Sequence, residues 1–264
     1  MTLPLFSPSD DPGPDFAALL RGSAETSNSS IDLSEVLPHG TTVVSIRFAD
    51  GVVLAGDRRA TSGHLISHRS IEKVFPADRH SGIAIAGAAG PAMEMVKLFQ
   101  LQLEHYEKVE GKSLSLEGKA NQLGQMLRQN LPAAMQGMVV VPLFAGYDLR
   151  REVGRLFQYD ITGGRYEDRL YATTGSGSLH ATTVIKLGYK DGQSREDAVE
   201  LAANALFEAS DEDSATGGPD LIRGVYPIIA TITAAGYERL DDATVAPLFD
   251  TIMSNRQHQT AEDA

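Results

Sequence analysis

Hydrophobic and polar positions along this chain fall into blocks with different periods. Residues 1–40 show no sustained pattern: Pro, Ser and Asp dominate, with one short apolar patch at 16–20, and the stretch ends in Leu37-Pro38-His39-Gly40. Such composition reads as a tail without a core of its own. From residue 41 the pattern changes. Thr41-Thr42-Val43-Val44-Ser45-Ile46-Arg47-Phe48 is rich in β-branched residues and partly alternating, Ala49-Asp50-Gly51 is a hairpin signal, and 52–55 is the returning strand. A polar segment covers 56–61; 68–75 predicts a short strand pair and 82–86 a buried strand. Gly87-Ala88-Ala89-Gly90-Pro91 reads as a strand-to-helix junction, with Pro91 suited to a first helical turn.

The period then becomes helical. Ala92, Met95, Val96, Phe99, Leu103 and Tyr106 share one helix face, and a second helix runs over 116–129, ending before Pro132. Strands return at 138–147, 154–159 and 169–174, followed by helices near 179–187 and 195–209, a strand region at 225–233, a last helix near 245–254 and a polar tail. Runs of strands and pairs of helices do not alternate as in a doubly wound parallel sheet. They predict an α+β fold: a four-layer αββα sandwich, with two stacked antiparallel sheets, each covered by a helix pair.

Composition narrows the chemistry. The 264 residues include no cysteine, which removes a thiol nucleophile, a thiolate zinc site and disulfides together, and fits a reducing compartment. The net charge is −12, of which residues 1–40 contribute −5 through six acids and one arginine. Such a surface has no general attraction for nucleic acid or an anionic membrane. The N-terminus lacks the basic and apolar regions of a secretion signal, and the most apolar stretches, 82–93 and 137–147, fall short of the ~20 residues of a spanning helix. The expected location is cytoplasmic. His64, His68, His80, His105 and His180 have no metal-ligand spacing, so neither metal nor cofactor is expected.

Three polar features stand in strand-rich surroundings: Thr41-Thr42 at a strand start, Asp57 at a strand end, and Lys73 within Ser70-Ile71-Glu72-Lys73-Val74-Phe75. Singly, each has an ordinary structural account, as strand opener, turn residue or solvent-facing lysine. Gly87 adds a strand-to-helix junction, where unpaired backbone N–H groups can meet an oxyanion. The Gly-rich run 82–90 lacks both Gly-x-Gly-x-x-Gly and Gly-Lys-Ser/Thr, which argues against a nucleotide-phosphate loop.

Together these residues resemble the proteasome β-subunits, threonine peptidases of the N-terminal-nucleophile hydrolases. The resemblance covers nearly all of 38–255 and rests on Gly40-Thr41-Thr42-Val43-Val44, Gly56-Asp57-Arg58-Arg59-Ala60-Thr61 and the spacing of Lys73. It extends to Thr174-Gly175-Ser176-Gly177-Ser178 and Asp213-Ser214-Ala215-Thr216-Gly217-Gly218, where Thr216 stands in place of the family's usual Ser. The segment Ser214-Ala215-Thr216-Gly217-Gly218-Pro219-Asp220-Leu221-Ile222-Arg223-Gly224 and the long leader look most like the actinobacterial type. The heat-shock type of ATP-dependent bacterial threonine peptidase is usually shorter and lacks such a leader. A noncatalytic subunit of the same fold loses the Thr, the Lys or the processing site, all present here.

The resemblance implies a division into a propeptide, 1–40, and a catalytic domain, 41–264. Cleavage between Gly40 and Thr41 would free the Thr41 amine as the base for its own hydroxyl, the nucleophile. Lys73, held by Asp57, would stabilise the developing alkoxide. The Gly87 N–H would meet the oxyanion, and Ser176, Asp213 and Thr216 would support the nucleophile. Thr61 would align a substrate peptide through its backbone, and Ala60, Ile71, Phe75, Ile85, Ala89 and Met93 would form an uncharged P1 pocket. The implied partners are α-subunits and other β-subunits in an α7β7β7α7 core, an ATPase unfoldase ring outside it, and unfolded protein substrates, some tagged with a ubiquitin-like modifier.

Overall fold

The computed structural model describes residues 40–62 and 65–262, with side chains through Gln257. These residues lie in one unit, Leu37–Ala264. The expected propeptide therefore lies outside the described residues, apart from Gly40.

Two antiparallel sheets form the centre. β1 (Thr42–Phe48) and β2 (Gly51–Gly56) make the expected hairpin across Ala49-Asp50. β10 (Tyr171–Gly175), β1, β2, β11 (Ile228–Thr233) and β12 (Gly236–Arg239) follow in that order across the first sheet. The second sheet runs β5 (Val74–Asp78), β6 (Ser81–Gly87), β7 (Val140–Asp148), β8 (Val153–Tyr159), β9 (Arg165–Asp168). A separate hairpin pairs β3 (Ala60–Ser62) with β4 (Leu65–His68).

Strand alternation builds the layers, because successive side chains point to opposite faces. Val43, Val52, Leu54, Ala84, Leu143, Ala145, Leu156, Ile228 and Ala230 form the core between the sheets. Their neighbours Val44, Ile46, Val53, Ala55 and Ile229 face α3 (Ser178–Gly188), α4 (Arg195–Glu212) and α5 (Asp242–Glu262). Ile83, Ile85, Phe144 and Phe157 face α1 (Ala89–Glu110) and α2 (Leu116–Ala134) on the other side. Three apolar cores thus separate four layers, as the element order predicts. Among the described residues one layer holds three helices rather than a pair, since Val245, Phe249 and Ile252 of α5 share the core of α3 and α4.

The elements differ from the sequence reading in several places, among them β3, which lies where a polar segment was expected. The pair expected at 68–75 is shifted, with β4 ending at His68 and β5 starting at Val74. α2 continues through Pro132 to Ala134, because a proline near a helix end removes only one late hydrogen bond. α5 begins with Asp242 and carries Pro247 in its second turn. β9 and β12 are short edge strands absent from the sequence reading. Among the described residues no helix is long and apolar enough to cross a membrane.

Candidate active site

Asp57 lies just beyond the end of β2, fully buried, and its carboxylate accepts four hydrogen bonds. Lys73 Nζ at 2.7 Å and the Thr42 N–H at 2.9 Å share Oδ1. The N–H groups of Arg59 and Gly217, both at 2.9 Å, share Oδ2. Three backbone donors therefore fix the carboxylate, and the carboxylate fixes Lys73. Burial pulls the Lys73 ammonium below its ordinary pKa; the charge of Asp57 opposes that shift without cancelling it. Lys73 Nζ also donates to the Gly40 carbonyl oxygen at 3.3 Å.

A second network approaches Thr41 from the opposite side. The Thr41 N–H donates to Ser176 Oγ at 3.3 Å. Ser176 Oγ lies 2.5 Å from Asp213 Oδ2, and Thr216 Oγ1 lies 2.6 Å from the same oxygen. Each hydroxyl has one proton, so Ser176 and Thr216 both donate to Asp213. Thr42 Oγ1 is 2.6 Å from Thr216 Oγ1 and accepts from the Gly177 N–H at 3.0 Å, which leaves Thr42 to donate to Thr216. Thr216 thus supplies the donor that the family's usual Ser would supply.

The two networks meet at the Gly40–Thr41 peptide bond, whose nitrogen is bonded to Ser176 and whose carbonyl is bonded to Lys73. Beside it lies a pocket lined by Gly40, Thr41, Ala60, Ile71, Lys73, Ile85, Gly87, Ala89 and Met93, together with Glu72, Ala86 and Ala92. Gly87 closes β6 with φ +111, a conformation that disfavours any side chain, and Ala88 then caps α1 with no side-chain hydrogen bond. Thr61 Oγ1 accepts from the Gly40 N–H at 3.3 Å. Phe75 differs from the expected P1 set: it packs, half-buried, against the core under α1 and α2 and does not line this pocket.

A larger cleft of about 410 Å³ lies away from these residues, among His80, Tyr106, Lys112, Lys119, Tyr147 and Arg150. Its buried charges are already paired, Lys119 with Asp78 and Asp148 with Arg155.

The order Gly-Thr, Asp, Lys, Ser, Asp-x-x-Thr therefore becomes one constellation in space. The family model described as "Proteasome subunit" matches residues 37–222. This chain belongs to the proteasome subunit family. Within that family it stands with the β-subunits. A "Proteasome subunit beta" of Acidimicrobium ferrooxidans is 61% identical over 246 residues, covering 92% of this chain and 90% of the relative. One of Streptomyces griseus subsp. griseus is 57% identical over 222 residues, covering 84% and 79%. These actinobacterial relatives agree with the resemblance carried by the motifs. Beside the residues singled out in this proteasome β-subunit sequence, the site uses the backbone N–H groups of Thr42, Arg59, Gly177 and Gly217. Backbone donors carry no residue-type signal. Only the glycines and the adjacent motif residues point to them.

Proposed function

We propose that this β-subunit is a threonine endopeptidase that activates itself by removing residues 1–40. The carrying observation is the Gly40–Thr41 bond, held between the Lys73 ammonium and the Ser176 hydroxyl beside a pocket whose lining is mostly apolar, with Glu72 and Lys73 as its charged members.

In the precursor, the Thr41 nitrogen is an amide and cannot act as a base. Lys73 polarises the Gly40 carbonyl by donating to its oxygen. The Thr41 hydroxyl oxygen bonds to the Gly40 carbonyl carbon, the Gly40 C–N bond breaks, and the hydroxyl proton is carried to the nitrogen. The product is an ester between Gly40 and the Thr41 side chain. Water cleaves this ester, releasing 1–40 with a carboxylate at Gly40 and restoring the hydroxyl beside a free Thr41 amine.

The freed amine has a reference pKa of about 7.7–8.0, which suits a general base near neutrality. It takes the hydroxyl proton as Thr41 attacks a substrate carbonyl. The Lys73 charge stabilises the alkoxide, Asp57 holds Lys73, and the Gly87 N–H meets the oxyanion. Ser176, Asp213 and Thr216 orient the nitrogen. Thr61 aligns the substrate as an added strand, and Ala60, Ile71, Ile85, Ala89 and Met93 receive an apolar P1 side chain.

The subunit assembles with other proteasome subunits. The finer arrangement is stacked β rings between α rings in the cytoplasm, fed unfolded protein by an ATPase ring. The test is hydrolysis of a fluorogenic peptide by particles coexpressed with α-subunits. Thr41→Ala particles should be inactive. Full activity in properly assembled Thr41→Ala particles would overturn the mechanism.

A further inference from the structure

We propose that Ala215 restricts residue 40 to glycine, and so sets the sequence at which this chain can be processed. This inference rests on the self-processing reading above.

Two causes could demand glycine before Thr41. One is a left-handed backbone, which side chains resist. A requirement of that kind would be indifferent to the side chain at residue 215. The other cause is space. A Cβ on residue 40 would overlap the Cβ of Ala215, and would lie 2.6 Å from the Ala215 Cα and 2.8 Å from its carbonyl oxygen. No real side chain tolerates those distances, so either the junction or the turn must move.

Neither is free to move without cost. The turn bearing Ala215 is pinned on both sides. The Ala215 N–H donates to Asp213 Oδ1 at 3.1 Å, the Thr216 N–H donates to the Asp213 carbonyl at 3.0 Å, and Arg59 Nη1 donates to the Ser214 carbonyl at 2.9 Å. Residue 40 is held from other directions by Thr61 Oγ1 and by Lys73. Displacing the turn would also carry away Asp213 and Thr216, which flank Ala215 in sequence and support Ser176 and Thr42. Displacing the junction would draw the Gly40 carbonyl away from Lys73. Either route weakens attack at that carbonyl, so selection for glycine is coupled to the chemistry.

The test is a double-mutant cycle on processing. Wild type, Gly40→Ala, Ala215→Gly and the double variant are coexpressed with α-subunits, alongside Thr41→Ala. Release of residues 1–40 is followed by intact mass against time. Gly40→Ala should slow release at least about tenfold, as expected for forcing an extra carbon into a packed site. In the Ala215→Gly background the same substitution should cost at least about threefold less, a coupling typical of residues in contact. Recovery should be partial, because the Cα and carbonyl of residue 215 remain close. If Gly40→Ala fails to assemble, the double variant should restore assembly and processing together; failure to restore either overturns the proposal. Gly40→Ala processed at the wild-type rate, or coupling below about threefold, including the case in which Ala215→Gly alone abolishes processing, also overturns it. An uncut wild type, or efficient clipping of Thr41→Ala, would instead overturn the underlying self-processing reading.

Discussion

Lys73 and Arg155 are both buried cations, 4% and 5% exposed, and both belong to the side of the molecule built around the β5–β9 sheet. Their surroundings differ. Arg155 meets three carboxylates: Glu167 through two bonds of 2.7 Å, Asp148 at 3.0 Å and Glu117 at 3.4 Å. Those bonds, Glu167 first, raise its pKa and hold it charged. Among the described residues Lys73 is hydrogen-bonded to one carboxylate, Asp57, already committed to three backbone amides, while Asp213 acts on it only through space. Its remaining donor capacity points to the Gly40 carbonyl, and burial lowers its pKa. A surplus of acceptors makes a buried cation a clamp. A shortage leaves it with donors to offer a reacting carbonyl.

The contrast is sharpest in activity. Lys73→Ala should lower peptide hydrolysis on the order of 10²-fold or more, the usual cost of a general catalyst. A variant within a few-fold of wild type would show that its charge is not used. Arg155→Leu should do the reverse. It should leave kcat/KM within a few-fold below the melting transition while lowering stability by about 2–3 kcal/mol, toward the low end for a broken buried pair because Glu117 and Glu167 stay near water. Chemical denaturation reads this loss, and a large fall in kcat/KM without it would break the comparison.

A smaller effect concerns the pocket beside Lys73. Its apolar wall, Ala60, Ile71, Ile85, Ala89 and Met93, should favour peptides ending in Leu, Phe or Tyr over those ending in Arg or Asp by roughly tenfold, the scale of one apolar contact. Preference for the charged peptides would reassign the pocket, in which Glu72 is the acidic lining residue.

The smallest effect is in pH. Lys73 has a folded pKa below 10.5, so between that value and 10.5 the unfolded chain binds more protons than the folded one. Its contribution to stability therefore rises with pH across this window. Activity moves the other way, since the ammonium is lost: the alkaline limb of kcat/KM should lie below pH 10.5. An alkaline limb at or above that pH would contradict the assignment.

The layers were legible because alternation is a local signal. Val43, Val44, Val52 and Val53 declare two buried faces before any partner is known. β4, β9 and β12 were not legible, because they are short and largely exposed or half-buried, and their form depends on a neighbouring strand. In the site, Thr41, Asp57, Lys73, Ser176, Asp213 and Thr216 were identifiable from the family motifs, and the fold places them around one peptide bond. Phe75 illustrates the limit of an apolar residue type. It suits a pocket and a core equally, and the turn of β5 sends it to the core. Ala215 carries no chemical signal at all; its importance is its position over Gly40.

The central claim is that Thr41 makes its own amine available by cutting after Gly40. Intact mass measured on wild type and Thr41→Ala, each alone and each with α-subunits, tests it most directly. Only wild type in assembled particles should lose 1–40, leaving a chain that begins at Thr41. Clipping of the Thr41→Ala chain after Gly40 with equal efficiency in purified components would contradict it.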